Sequence, residues 1–134
     1  MQLYAGLGCR RGCPARELAA LLQQTLFAHH LPAFALAGLA SIDLKADEPG
    51  LHELARQLGL PLVFFSAAQL APFESRLSHR SPTAFALSGC HGVAESAALA
   101  LAEQRGGANA ALRLPRTVQG AATLALAWAP PFDG

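Results

Sequence analysis

The chain predicts an α/β fold: a single three-layer α/β/α domain built on a mainly parallel sheet of about five strands. Three observations predict it. Apolar runs of strand length alternate with amphipathic segments of helix length along the 134 residues. The run FALAGLA is almost wholly apolar, as expected of a strand covered on both faces. No internal repeat or linker-like boundary interrupts the alternation, so residues 1–134 read as one domain.

The elements follow in order. The first strand is LYAGLG, from Leu3 to Gly8. The glycine-punctuated turn CRRGC comes next, and Pro14 stands where a first helical position tolerates a missing N–H. A helix runs over ARELAALLQQTLFAHH, with Leu18, Leu21, Leu22 and Leu26 at helical spacing. His29 and His30 at its end complement the helix dipole. The second strand spans Phe34 to Ile42. A helix begins near Pro49, with Asp47 or Glu48 as cap, and stops at Gly59. Its buried stripe is Leu51, Leu54, Ala55 and Leu58. A third strand, LPLVFF, ends at Ser66, which caps a turn over AAQLA. Residues 72–89 show no clear periodicity, and stretches of that kind often serve as lids or binding loops. A helix over VAESAALALAEQR ends at Gly106–Gly107, and strands over ANAALRLP and AATLALAWA close the chain.

Composition excludes several functions. Hydrophobic residues make up 52% of the chain, charged residues 14%, and the net charge is +1. That balance offers no concentrated basic face for nucleic acid. No stretch reaches the roughly 20 apolar residues of a membrane helix, and no signal-peptide pattern opens the chain. Cys9, Cys13 and Cys90 are an odd set, read as thiols of a reducing, cytoplasmic compartment.

Candidate chemistry gathers at strand ends. Four charges, Asp43, Lys45, Asp47 and Glu48, arrive directly after Ile42. In an open α/β sheet ligands bind at the carboxyl edge of the parallel strands, where these residues would lie. Asp47 and Glu48 also suit a helix cap. In the first turn, Gly6, Gly8 and Gly12 approach a dinucleotide fingerprint but miss its spacing. Asp43 also falls about thirty residues beyond Gly12, instead of the expected span of about twenty. The turn still suits an anion, because Arg10 and Arg11 flank a helix N-terminus. Cys9 beside two arginines is a candidate for a lowered thiol pKa, against a role as a buried small hydrophobe, the commoner one for all three cysteines. A metal held by Cys9, Cys13, Cys90 and His91 is disfavoured by the adjacency of the last two. His91 and Glu95, one turn apart, form a candidate acid–base pair, or else a residue near the cap and a first-turn carboxylate that complements the helix dipole.

The stretches GLGCRRGCP, GLASIDLKADEPGLHELARQLGLPLVFFSAAQL and GVAESAALALA, in this order and spacing, resemble the cobalamin-biosynthesis family of CobE and the CbiG C-terminal domain. The resemblance extends from Leu3 to the final strand. It implies a three-layer α/β/α domain that binds or acts on a corrin-ring precursor. The family pattern maps onto Gly6, Gly8, Cys9, Arg10, Arg11 and Gly12. It maps next onto Ser41, Asp43, Lys45, Asp47, Glu48, Pro49, Gly50 and Leu51, and then onto Glu95. The chain departs from it at Cys13, at Cys90–His91, and before the last strand, where Arg113 and Arg116 are the basic candidates and only Gly120 remains of a glycine pair.

Two functions are expected from these residues. One is binding of a precorrin or corrinoid intermediate for transfer between pathway enzymes. Gly8, Cys9, Arg10, Arg11, Gly12, Ser41, Asp43, Lys45, Asp47 and Glu48 would form that site. The alternative is hydrolysis of a ring substituent or lactone of a cobalt-precorrin, with Asp43, Asp47 or Glu95 as base and arginine stabilising the developing charge. Neither function calls for a metal or a cofactor of the protein's own. The partners expected are the tetrapyrrole intermediate and other cobalamin-biosynthesis enzymes, with no nucleic acid and no membrane.

Overall fold

The computed structural model describes residues 2–107 and 109–129. The strands are β1 (Leu3–Cys9), β2 (Leu36–Ile42), β3 (Leu62–Phe65), β4 (Ala111–Gln119) and β5 (Ala122–Trp128). The helices are α1 (Ala15–Ala28), α2 (Pro49–Leu58), α3 (Ala67–Leu70), α4 (Pro82–Ser88) and α5 (Val93–Gly106). They form a mixed α/β fold whose single open sheet has the order β3-β2-β1-β5-β4. Ala108, expected to begin the fourth strand, lies outside the described residues.

The expectation of a mainly parallel sheet needs correction. β1 pairs with β2 and β2 with β3 in parallel, whereas β5 runs antiparallel to both β1 and β4. The reason is connection length. Only Gly120 and Ala121 join β4 to β5, and a two-residue loop closes an antiparallel hairpin, while a parallel crossover needs a dozen or more residues. Gly120 adopts a positive φ of 59° in that loop.

Strand alternation sorts the core into two clusters. Leu3, Ala5 and Leu7 of β1 pack with Leu18 and Leu22 of α1 and Leu51 and Leu54 of α2. Tyr4 of β1 and Ala125 and Ala127 of β5 pack instead with the alanines of α5. The small residues on this second side have a purpose. A Cβ on Gly6 would stand 1.8 Å from the Ala94 carbonyl oxygen, so α5 sits directly on the β1 backbone. A Cβ on Gly50 would likewise meet the Cys13 carbonyl at 2.2 Å, which brings the start of α2 against the turn before α1.

Several local expectations change. β2 starts at Leu36 because Pro32 leads into a short 3-10 turn over Ala33–Ala35. Leu58 is exposed, at the end of α2 beyond the last core turn. Residues 72–89 contain a 3-10 stretch to Arg76 and then α4, which Ser81 caps by accepting from the Ala84 N–H and Gly89 ends at φ 78°. None of the residues of α4 is buried. No single helix among the described residues is long and apolar enough to cross a membrane.

Gly6→Ala tests the close seat of α5. The added methyl meets backbone, which cannot rotate away, so urea denaturation should report a loss of about 3 kcal/mol. A loss below about 0.5 kcal/mol would mean that α5 does not rest on Gly6.

Candidate functional site

The parallel half of the sheet delivers its turns to one edge, and a cleft of about 500 Å³ opens there. Its floor comes from Gly8 and Cys9 at the end of β1, Ile42 at the end of β2 and Thr123 of β5. Arg10, Arg11, Lys45 and Arg116 line it, together with His91 before α5. Three large apolar side chains at its walls are exposed: Leu44 at 60%, Leu87 of α4 at 75% and Val118 of β4 at 54%.

The first turn is fixed at both ends. The Arg10 N–H donates to the Ala121 carbonyl at 2.9 Å, and the Cys13 N–H donates to the Arg10 carbonyl at 3.0 Å. Gly12 takes φ 79°, which a side chain rarely tolerates. Its N–H donates to Glu48 Oε2 at 3.0 Å. The protein's own carboxylate therefore takes the Gly12 amide that an external anion was expected to meet.

Sequence-predicted residues divide among several places. Gly8, Cys9, Arg10, Arg11 and Lys45 meet in the cleft. Gly12, Asp47 and Glu48 line an adjoining depression of about 490 Å³, which shares Arg11, Leu44 and Lys45 with it. Ser41 is fully buried, and its hydroxyl donates to the Leu7 carbonyl at 2.7 Å, bridging β2 to β1. Asp43 is exposed at the start of the 3-10 turn Asp43–Lys45 and lines neither space.

Glu95 is not in the cleft and does not pair with His91. It is 1% exposed, and it accepts from the Ser78 N–H at 2.7 Å, the Arg116 N–H at 2.8 Å and the Ser78 hydroxyl. Burial pushes its carboxyl upward, but the hydrogen bonds from Ser78, Arg116 and His79 outweigh this and hold it below the usual carboxylate range. His91 bonds Glu74 instead, through Nδ1 at 2.8 Å and its backbone N–H at 3.0 Å. Cys9 is buried, as a small hydrophobe would be, and its thiol is not lowered. Burial pushes its thiol up, Glu48 adds to this, and Lys45 opposes it without reversing the shift.

Sequence reasoning passed over Leu44, Leu87, Val118 and Ala84, and left His91 without a binding role. Leu87 and Ala84 had a signal in the S-P…G capping of α4. Val118 became legible only once β4 was paired against β5, which also brings Arg116, a basic candidate of the sequence, to the cleft.

Among the described residues, Arg10, Arg11, Lys45 and Arg116 make no ion pair; the arginine pairs present join Arg76 to Glu103 and Arg80 to Glu74, and His91 also contacts Glu74. The cleft thus offers unpaired positive charge around an apolar wall. Such a surface recognises a largely apolar molecule that carries carboxylates or phosphates.

Known proteins share this chain's pattern. Residues 3–127 match the model of the family described as cobalamin synthesis G C-terminus. Protein CobE of a Sinorhizobium species is 41% identical over 93% of this chain and 79% of its own length. The crystal structure of CobE, a protein from the cobalamin (vitamin B12) biosynthetic pathway, superposes with a TM-score of 0.89 at 48% identity, over 94% of this chain and 89% of that one. The cobalt-precorrin-5A hydrolase of Priestia megaterium is 34% identical over 72% of this chain, which spans only 25% of that enzyme.

Replacement of Glu95 by Gln should lower stability at pH 7 by about 3 kcal/mol, because the buried donors lose their charged acceptor. Its carboxyl is held below its unfolded value of about 4.3, so its stabilisation is complete above that pH and disappears as acid takes the pH through the lower folded value. Denaturant midpoints measured between pH 7 and pH 3 should therefore fall less in the variant than in the wild type. Parallel curves would show that Glu95 is not the group responsible.

Proposed function

The chain belongs to the cobalamin synthesis G C-terminus family of cobalamin-biosynthesis proteins, and on that premise we propose that its cleft binds a precorrin or corrinoid intermediate. In this reading the domain is a cytoplasmic three-layer α/β/α carrier that holds the intermediate between pathway enzymes. Helices in both side-chain clusters support the layering.

One observation carries the reading. Four cationic side chains without carboxylate partners, among the described residues, surround a cleft walled by exposed Leu44, Leu87 and Val118. A corrin-pathway tetrapyrrole is a broad apolar ring with carboxylates at its periphery. Its faces match the leucines and valine, and its carboxylates match the planar guanidinium groups, which pair bidentately with them. The cleft volume of about 500 Å³ lies within the usual range for small-molecule sites.

The site supports binding more directly than turnover. Of the three carboxylates considered as bases, Glu95 has both oxygens engaged inside the fold, Asp43 lines neither space, and Asp47 lines the adjoining depression and not the cleft itself. Hydrolysis would require a base to reach water beside the bound ring, and the hydrolase relative is matched over a quarter of its length alone.

Titration of the purified protein with corrin-pathway intermediates, followed by ligand absorbance, tests the proposal. Arg10→Ala and Arg11→Ala together should weaken binding at least about tenfold and reduce its salt dependence. Asp43→Asn should leave affinity within about twofold. Ligand recovered unchanged supports a carrier. Recovery of a product of altered mass would replace the carrier by a hydrolase, and binding indifferent to both arginines would place the ligand elsewhere.

A further inference from the structure

His91 lines the cleft, yet its chemistry is set from behind it. The Glu74 carboxylate grips the residue twice, at Nδ1 (2.8 Å) and at the backbone N–H (3.0 Å). The Phe85 ring stacks on the imidazole with centroids 4.3 Å apart and planes 19° from parallel. The Ser81 N–H donates to the His91 carbonyl at 2.9 Å, which ties the residue to the start of α4. The imidazole therefore has a fixed orientation, and a neutral ring has a fixed tautomer. Glu74, held ionised by these same contacts, can only accept, so Nδ1 carries the proton. Nε2 is left with a lone pair and no hydrogen-bond partner among the described residues.

We infer that His91 is a proton-linked anion-binding residue of the cleft: when a ligand carboxylate enters, Nε2 takes up a proton from solvent and donates it as a hydrogen bond to that carboxylate. The inference rests on the binding role proposed above and adds a residue and a sign of pH dependence to it.

Charges of both signs surround His91. Arg80, 3.4 Å from both Nδ1 and the Glu74 carboxylate, opposes a second positive charge. Arg10, Arg11, Lys45 and Arg116 oppose it from the cleft walls. Glu74, the carboxylate bonded to His91 among the described residues, favours it. A ligand that brings several carboxylates neutralises the opposing cations and supplies an acceptor at Nε2, so the balance shifts towards imidazolium. The neighbouring thiols stay silent near neutrality, because burial raises the pKa of both Cys9 and Cys90. The sign follows by linkage. The ligand favours the charged ring, so its affinity increases on acidification through the neutral range. The contribution falls away as the pH rises.

The test uses cobyrinic acid, a corrin polycarboxylate, with its peripheral methyl ester as the control probe. Calorimetry between pH 6 and pH 8, repeated in buffers of different ionisation enthalpy, counts the protons bound with the ligand. The wild type should take up a fraction of a proton that reaches about one at its maximum, and affinity should rise by up to about tenfold per pH unit lowered. His91→Asn keeps a donor where Nδ1 stood, facing Glu74, and removes Nε2. It should melt like the wild type, still bind the acid and take up no proton. The methyl ester should show no proton uptake with either protein. Equal proton uptake by wild type and His91→Asn would overturn the inference while leaving the binding role intact. So would wild-type binding without proton uptake. Absence of binding to cobyrinic acid and to every pathway intermediate would overturn both. If His91→Asn fails to fold, Glu74→Gln provides the second arm. It removes the one carboxylate bonded to His91 among the described residues, and proton uptake at pH 7 should fall by at least half; an unchanged uptake would contradict the assignment.

Discussion

The buried carboxylate of Glu95 joins three segments that the chain order keeps apart. It lies in the first turn of α5, and its oxygens accept from Ser78, in the stretch before α4, and from the backbone of Arg116 in β4. A charge that is 1% exposed is tolerable only when such donors replace its water. Those donors therefore stay in place as long as the carboxylate does. The rest of the cleft follows from this arrangement. The tie at Ser78 anchors the stretch that leads into α4, and the tie at Arg116 anchors β4, which supplies Val118 to the cleft. Gly6 gives α5 its seat below, because the Ala94 carbonyl occupies the space of a β-carbon.

The cations of the site owe their freedom to a division of labour among nearby carboxylates. Glu48 is engaged with the Gly12 amide, Glu74 with His91 and Arg80, and Glu95 with backbone and a serine. Glu48 is the instructive case. By holding the positive-φ turn it keeps Arg10 and Arg11 at the edge of the sheet, yet it forms no ion pair with either among the described residues. Gly50 makes this contact possible, since it lets α2 start against the Cys13 carbonyl. An apolar wall with unengaged cations then faces solvent, and a ligand of matching character desolvates both together.

Much of this was legible in the chain. The order of the long elements followed from apolar periodicity, and Arg10, Arg11 and Lys45 could be placed together because the ends of adjacent parallel strands share an edge. The sheet's direction was misjudged although the signal existed: the gap between the last two strands is too short for a crossover. α4 escaped notice because a short helix with no buried residue shows no apolar stripe to read. The roles of Glu95 and His91 were not legible at all. Their spacing suggests a pair on one helix face, but each is held by a partner distant in sequence, and only tertiary packing decides between such partners.

Backbone amide shifts of the labelled protein, recorded with and without a corrin polycarboxylate, test the central claim most directly. Binding in the cleft predicts the largest changes at Gly8–Gly12, Leu44–Lys45, Ala84–His91 and Arg116–Thr123. Changes concentrated in the groove between α1 and α2, at Arg16, Gln23 and Gln57, or an unchanged spectrum at saturating ligand, would contradict it.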